Sequence, residues 1–74
     1  MDFITIIDGK VVDLIEVKVA DGAISSSLKY YQKLLKPERT VQIVGELDRP
    51  FDKEGIRVTT PVHFFTDPPW ERVV

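Results

Sequence analysis

The segment 11-VVDLIEVKV-19 constrains the fold of this 74-residue chain more than any other. It is rich in β-branched residues, which is typical of a β-strand. Side chains alternate along a strand, and alternation assigns the apolar ones to both faces: Val12 and Leu14 to one, and Val11, Ile15, Val17 and Val19 to the other. The segment therefore predicts an interior strand of a sheet that is covered on both faces.

A hairpin precedes this strand and a helix follows it. Residues 2–7 predict a strand, and Asp8-Gly9 favours a tight turn because glycine accepts positive φ. Three serines are candidate N-caps for a helix, which the apolar spacing of 28-LKYYQKLLK-36 predicts. Pro37 ends this helix, since the residue before a proline avoids the helical region.

Two further strands, at 40–45 and 56–60, complete the predicted fold. A charged loop at 46–55 separates them, and the segment after Pro61 is expected to begin with one helical turn. The expected fold class is a small α/β domain with a four-stranded mixed sheet and one main helix, in the order β-β-α-β-β.

We assign the whole of 1–74 to a single domain, with a core at 2–65 and a tail at 66–74. One helix covers only one face of a sheet. We therefore expect the second face to be covered by a segment missing from this sequence, by another domain or by a second copy of the chain.

Composition excludes several classes of protein. The sequence has no cysteine, so it has neither disulfides nor thiolate metal sites. Its net charge of −2, from 10 basic and 12 acidic residues, argues against a general polyanion binder, and any surface for nucleic acid has to be local. No apolar run is long enough to span a bilayer, so we expect a cytoplasmic protein without a membrane partner.

The polar residues of the interior strand are the candidate centre of chemistry. Glu16 and Lys18 share one face, and Asp2 begins the neighbouring strand. A two-residue loop at Asp8-Gly9 would place Asp2 opposite Ile15. A three-residue loop at 8–10 would place Asp2 opposite Glu16, and we favour this second register.

Two facing carboxylates repel each other unless one takes up a proton or a cation binds between them. Mg²⁺ suits a site made of one or two carboxylates, water and phosphate oxygens. Such an ion, held by Asp2 and Glu16, would polarise a phosphodiester and lower the pKa of a bound water. The ammonium of Lys18 would orient that water or stabilise developing negative charge.

This pattern resembles the PD-(D/E)xK nuclease core, in which an Asp at the start of one strand precedes Glu-x-Lys at the end of the next. Over roughly 2–65, the chain resembles more closely one family, the nuclease-like C-terminal domain of prokaryotic AAA-type ATPases. The matching segments are 2-DFITIIDGKVVDLIEVK-18, 24-ISSSLKYYQKLL-35, 41-VQIVG-45 and 56-IRVTTPVHFF-65.

The resemblance implies that Asp2, Glu16 and Lys18 are the catalytic residues, and that Asp2, Glu16 and the Val17 carbonyl hold Mg²⁺. Two departures limit it. In the nuclease fold a helix and a strand precede the Asp-bearing strand, whereas this sequence begins at Met1, and it has no GxxxxGK[ST] loop for a nucleotide. We therefore expect a fragment truncated at its N-terminus, without autonomous activity.

Three functions stay open at this point. The first is a non-catalytic accessory domain of an AAA-type ATPase, which would bind the ATPase domain of its parent chain. The second is an active Mg²⁺-dependent nuclease module that cleaves DNA. The third is a domain that forms a homodimer through an open strand edge and an uncovered sheet face.

Each candidate residue also has a plainer interpretation. Asp2 is an exposed residue at a chain end, and Glu16 and Lys18 form a surface ion pair worth about 0–1 kcal/mol. Lys29 and Lys33, our candidates for contacts with nucleic-acid phosphates, lie on what is otherwise the solvated face of a helix.

Overall fold

The structure is a computed structural model that describes residues 3–19 and 23–66. Within these ranges the chain forms five strands and two helices. In chain order they are β1 (Phe3–Ile7), β2 (Lys10–Lys18), α1 (Ser26–Leu35), β3 (Arg39–Val44), β4 (Phe51–Lys53), β5 (Ile56–Thr59) and α2 (Pro61–Thr66).

The strands form one mixed sheet in the order β1-β2-β3-β5-β4. β1 and β2 are antiparallel, β2, β3 and β5 run parallel to one another, and β4 is antiparallel to β5. The predicted α/β fold with a mixed sheet and one main helix is therefore present, and the predicted interior strand is β2. Neither helix in the described part of the chain is long and apolar enough to cross a membrane.

The sheet contains a fifth strand, β4, within the segment that was predicted to be a charged loop. A two-residue turn at Glu54-Gly55, with φ values of 54° and 77°, connects β4 to β5. Across the two strands the carboxylate of Asp52 accepts two hydrogen bonds from the guanidinium of Arg57, one of them at 3.1 Å. Only three residues long and rich in charge, β4 lacks the apolar alternation by which longer strands are recognised.

The hairpin of β1 and β2 has a two-residue turn, so the prediction of a three-residue loop was wrong. Asp8 and Gly9 both have positive φ, 52° and 76°, and Ile7 pairs with Lys10. Positive φ at both central positions is the geometry that matches the twist of a hairpin.

A β-bulge then changes the register between these strands. Ile6 pairs with Val11, but Thr5 pairs with Asp13, so β2 has one extra residue at this point. Beyond the bulge, Phe3 pairs with Ile15, which is the register that the hypothesis of a shared metal ion requires. Asp2 itself lies outside the described residues.

The bulge also corrects the assignment of faces. Val11 was predicted to lie on the face opposite Leu14, yet it packs against the cluster that contains Leu14. This cluster is the main core, and α1 packs on it. Its fully buried members are Leu14, Leu28, Val44, Ile56 and Val58. We call this side of the sheet the α1 face.

Within 3–19 and 23–66, the opposite face is covered only in part. Val41 and Ile43 are buried there beneath Phe64 of α2, with Ile15 packed beside them. An open groove of about 470 Å³ remains, which we call the apolar groove. Its apolar lining includes Phe3, Ile15, Val17, Ile43, Phe64 and Phe65. α2 covers part of this face. Cover of the rest by an outside partner stays a prediction.

Both helices begin at side-chain caps. The hydroxyl oxygen of Ser25 accepts a hydrogen bond from the Leu28 N–H at 3.3 Å, so Ser25 is the N-cap among the three candidate serines. α1 ends with Lys36 in the left-handed conformation, φ 48°, just before Pro37. Thr60 caps α2, since its hydroxyl oxygen accepts from the N–H of His63 at 3.3 Å.

Candidate functional site

Glu16 and Lys18 lie at the carboxyl end of β2, beside β3. The two strands are parallel, with Glu16 next to Gln42 and Lys18 next to Val44. Leu14 belongs to the α1 face, and side chains alternate along a strand, so Glu16 and Lys18 also project to the α1 face. Both are half-buried. In open α/β sheets, ligands bind at the carboxyl ends of parallel strands.

Gln42 is fully buried, and its side chain joins β3 to the segment that leads into α1. Its Oε1 accepts a hydrogen bond from the Ser25 N–H at 2.8 Å, and its Nε2 donates to the Ala23 carbonyl at 2.9 Å. Both bonds bind a loop to the sheet, so they hold the start of α1 beside the ends of β2 and β3. We call Glu16, Lys18 and Gln42 together the polar edge.

Lys18 shares a partner with Gln42. Its Nζ donates a hydrogen bond to the Ala23 carbonyl at 3.3 Å, the same oxygen that accepts from Gln42. The ammonium is thus held at Ala23, three residues before α1 begins. A carboxylate, an ammonium and an amide are brought together here from two neighbouring strands.

Sequence reasoning missed Gln42. The available signal was a single amide within the apolar run 41-VQIV-44, in a strand that was predicted to be buried. A buried polar side chain requires hydrogen-bond partners, which marks such a residue as one that organises its surroundings.

The remaining metal-site predictions involve Val17 and Asp2. The side chain of Val17 lies on the opposite face, where it lines the apolar groove, so the residue can offer a cation only its main-chain carbonyl. Asp2 lies outside the described residues. Within 3–19 and 23–66, no group of three His, Cys, Asp or Glu side chains is arranged to hold a metal ion.

The two lysines predicted to bind phosphates lie on α1, away from the polar edge. Lys29 forms an ion pair with Glu54, with 3.1 Å between Nζ and Oε2, and this hydrogen bond lowers the pKa of Glu54. One turn further on, Gln32 donates to the Gly55 carbonyl at 3.2 Å. Lys33 is exposed. This side of α1 is therefore attached to the β4–β5 turn, and a phosphate at Lys29 would compete with Glu54.

A further ion pair lies at the other end of the parallel strands. Asp13, which is buried, accepts a hydrogen bond from Nε of Arg39 at 2.6 Å, and the two residues are neighbours in the β2–β3 register. This bond raises the pKa of Arg39. The pair joins the middle of β2 to the amino end of β3, and its charges satisfy each other, so we assign it a structural role.

Comparisons of this chain with protein-family models, with curated proteins and with solved structures found no match. The polar edge therefore has to be interpreted from its own geometry and chemistry.

Proposed function

We propose that this chain is a nuclease-like accessory domain of an AAA-type ATPase, and that it does not cleave DNA by itself. One observation carries the proposal: Glu16 and Lys18 project to one face at the carboxyl end of β2, next to Gln42 and the start of α1. A Glu-x-Lys pair at this place in a sheet is what the resemblance to the PD-(D/E)xK core implies.

The order and direction of the elements also support a relationship to the nuclease core. An antiparallel hairpin, β1–β2, is followed by a helical crossover, α1, to the parallel strand β3. The Glu-x-Lys pair lies on the strand that enters this crossover. Beyond the bulge, Phe3 lies opposite Ile15, which is the register that a shared metal ion would require.

The hydrogen bonds of the polar edge favour a non-catalytic role. The amide of Gln42 uses both its oxygen and its nitrogen to hold the loop before α1. Lys18 donates to the same loop. To assist an attacking water, Lys18 would have to leave the Ala23 carbonyl. The chain's net charge of −2 also gives it little electrostatic attraction to DNA.

The alternative is an active Mg²⁺-dependent nuclease. In that case Asp2, Glu16 and the Val17 carbonyl would hold the ion, which would lower the pKa of a bound water. Lys18 would orient this water toward the phosphodiester. The co-facial placement of Glu16 and Lys18 is the observation that keeps this alternative open.

Calorimetric titration with Mn²⁺, together with a DNA cleavage assay in Mg²⁺, tests the proposal. We expect Mn²⁺ to bind weakly, with a dissociation constant on the order of 1 mM, and we expect no cleavage above background. Glu16→Gln should abolish binding. Glu38→Gln, which neutralises an exposed carboxylate beside the amino end of β3, is the matched control and should leave it unchanged.

The outcomes separate the candidate functions. Metal binding that depends on Glu16 without cleavage supports the accessory domain. Cleavage that Glu16→Gln and Lys18→Met both abolish would establish the nuclease instead. Metal binding that is absent, or equally sensitive to both glutamate variants, would contradict a nuclease-derived centre.

A further inference from the structure

The outer side of β1 has no strand paired with it among the described residues, because β1 is one end of the sheet. All five of its residues are exposed, and four are large and apolar. Their exposed fractions are 60% for Phe3, 47% for Ile4, 62% for Ile6 and 56% for Ile7. Unpaired main-chain groups along such a strand are a template for pairing with another chain.

At the other end of the sheet, β4 is protected from pairing with another chain, unlike β1. β4 has only three residues, follows Pro50, and carries the charged residues Asp52 and Lys53. Short length, charge and proline are the devices that prevent strand edges from associating. β1 has five residues and none of these devices.

The hairpin determines which main-chain groups of β1 face outward. Ile7 and Lys10 flank the two-residue turn, so their main-chain groups bond to each other across it. Along an antiparallel pair, alternate residues direct both their N–H and C=O groups to the partner strand. The main-chain groups of Phe3, Thr5 and Ile7 therefore point to β2. Those of Ile4 and Ile6 point outward.

We propose that β1 pairs with β1 of a second copy of the chain, antiparallel about a two-fold axis at Thr5, to form one continuous sheet. Ile4 then lies opposite Ile6 of the second copy and exchanges two main-chain hydrogen bonds with it, and Ile6 does the same with Ile4. Phe3 lies opposite Ile7 of the second copy. An isologous interface requires a self-complementary surface, which this register supplies.

The sequence 3-FITII-7 favours a second copy over an unrelated partner. In this register every apolar side chain meets another apolar one, on both faces of the sheet, and no charge is buried. Five residue pairs bury less than a standard interface. We therefore expect a weak dimer, with a dissociation constant between about 10 μM and 1 mM.

Sedimentation equilibrium of the full chain and two lysine variants tests the proposal. Ile6→Lys places a charge in the proposed interface at an exposed position. Phe65→Lys places the same charge at an exposed apolar residue of the apolar groove and is the matched control. We expect Ile6→Lys to raise the dissociation constant at least about tenfold and Phe65→Lys to change it less than about twofold.

Amide hydrogen exchange of the unmodified chain gives a second readout that needs no variant. Exchange at Ile4 and Ile6 should slow as protein concentration rises, while exchange in β4 should stay unchanged. A monomer at every concentration up to about 1 mM would overturn the proposal. So would a dimer that resists Ile6→Lys, or one that Phe65→Lys dissociates, since the interface would then lie elsewhere.

Discussion

Gly45 lies directly against the main-chain carbonyl of Val19, so that a Cβ atom at Gly45 would be 2.7 Å from the Val19 oxygen. The two residues follow the ends of β3 and β2, immediately beyond the polar edge. The absence of a side chain at Gly45 thus allows the two strand ends to approach closely at the place where Glu16 and Lys18 project.

Gly45→Ala should therefore destabilise the fold by about 1–3 kcal/mol, because the contact is with main chain that cannot rotate away. The free energy of unfolding in urea measures the effect. Ser27→Ala, at an exposed position in the first turn of α1, is a control that should change stability by less than about 0.5 kcal/mol. A similarly small change for Gly45→Ala would show that the strand ends adjust freely.

Gln42 and Gln32 provide a matched pair for the role of burial. Each donates a hydrogen bond from Nε2 to a main-chain carbonyl, but Gln42 is fully buried and Gln32 is half-exposed. Gln42→Met should cost about 1–3 kcal/mol, since it leaves the Ser25 N–H without a partner in a place shielded from water. Gln32→Met should cost less than about 0.5 kcal/mol. The free energy of unfolding in urea measures both effects. Equal losses of this free energy in the two variants would contradict the anchoring role of Gln42.

The glycines of the two hairpin turns can be compared in the same way. Gly9 and Gly55 have nearly the same φ, 76° and 77°, so alanine should meet the same backbone strain of about 1–2 kcal/mol at both. A Cβ at Gly55 would lie 3.0 Å from Nε2 of Gln32, whereas one at Gly9 would have no neighbour within 4 Å. We expect Gly55→Ala to be the more destabilising by roughly 0.5 kcal/mol, measured by thermal unfolding. The reverse order would show that the Gln32 contact is unimportant.

The ion pair of Lys29 and Glu54 predicts a change in titration. The hydrogen bond from Lys29 lowers the pKa of Glu54, with weaker contributions from Lys53 and Lys33. A carboxylate with a lowered pKa stabilises the fold above its unfolded-state pKa, and this contribution is lost as pH falls through the folded-state pKa. Carbon-detected NMR titration should show the pKa of Glu54 rising in Lys29→Met and rising less in Lys33→Met. Equal shifts of the Glu54 pKa in the two variants would contradict the pairing with Lys29. Added salt should reduce the shift in each variant.

Much of the fold could be predicted from local chemistry. The turn at Asp8-Gly9, the serine cap and Pro37 act within a few residues, and each lies at the predicted place. The bulge near Val12 could not be predicted, because the strand is apolar on both faces and this conceals the shift in alternation that an extra residue introduces. The bulge moved Val11 to the α1 face. It also shifted the pairing of β1 with β2 by one residue, so that Phe3 faces Ile15 as a three-residue loop would have required.

The candidate site could be predicted only in part. Glu16 and Lys18 share a face because alternation holds beyond the bulge. Gln42 was missed because its partners, Ser25 and Ala23, are 17 and 19 residues away in sequence and meet it only through the crossover of α1. The partner of Lys29, Glu54, likewise depends on β4, a strand too short to be recognised.

The most direct test of the central claim is NMR mapping of Mn²⁺, because paramagnetic broadening reports which amides lie near the bound ion. If a metal centre lies at the carboxyl end of β2, amides of Glu16, Val17, Lys18 and Gln42 should broaden first. Glu16→Gln should abolish this pattern, and Glu38→Gln should preserve it. Broadening spread over the acidic surface, or none at millimolar Mn²⁺, would contradict a metal centre at the carboxyl end of β2.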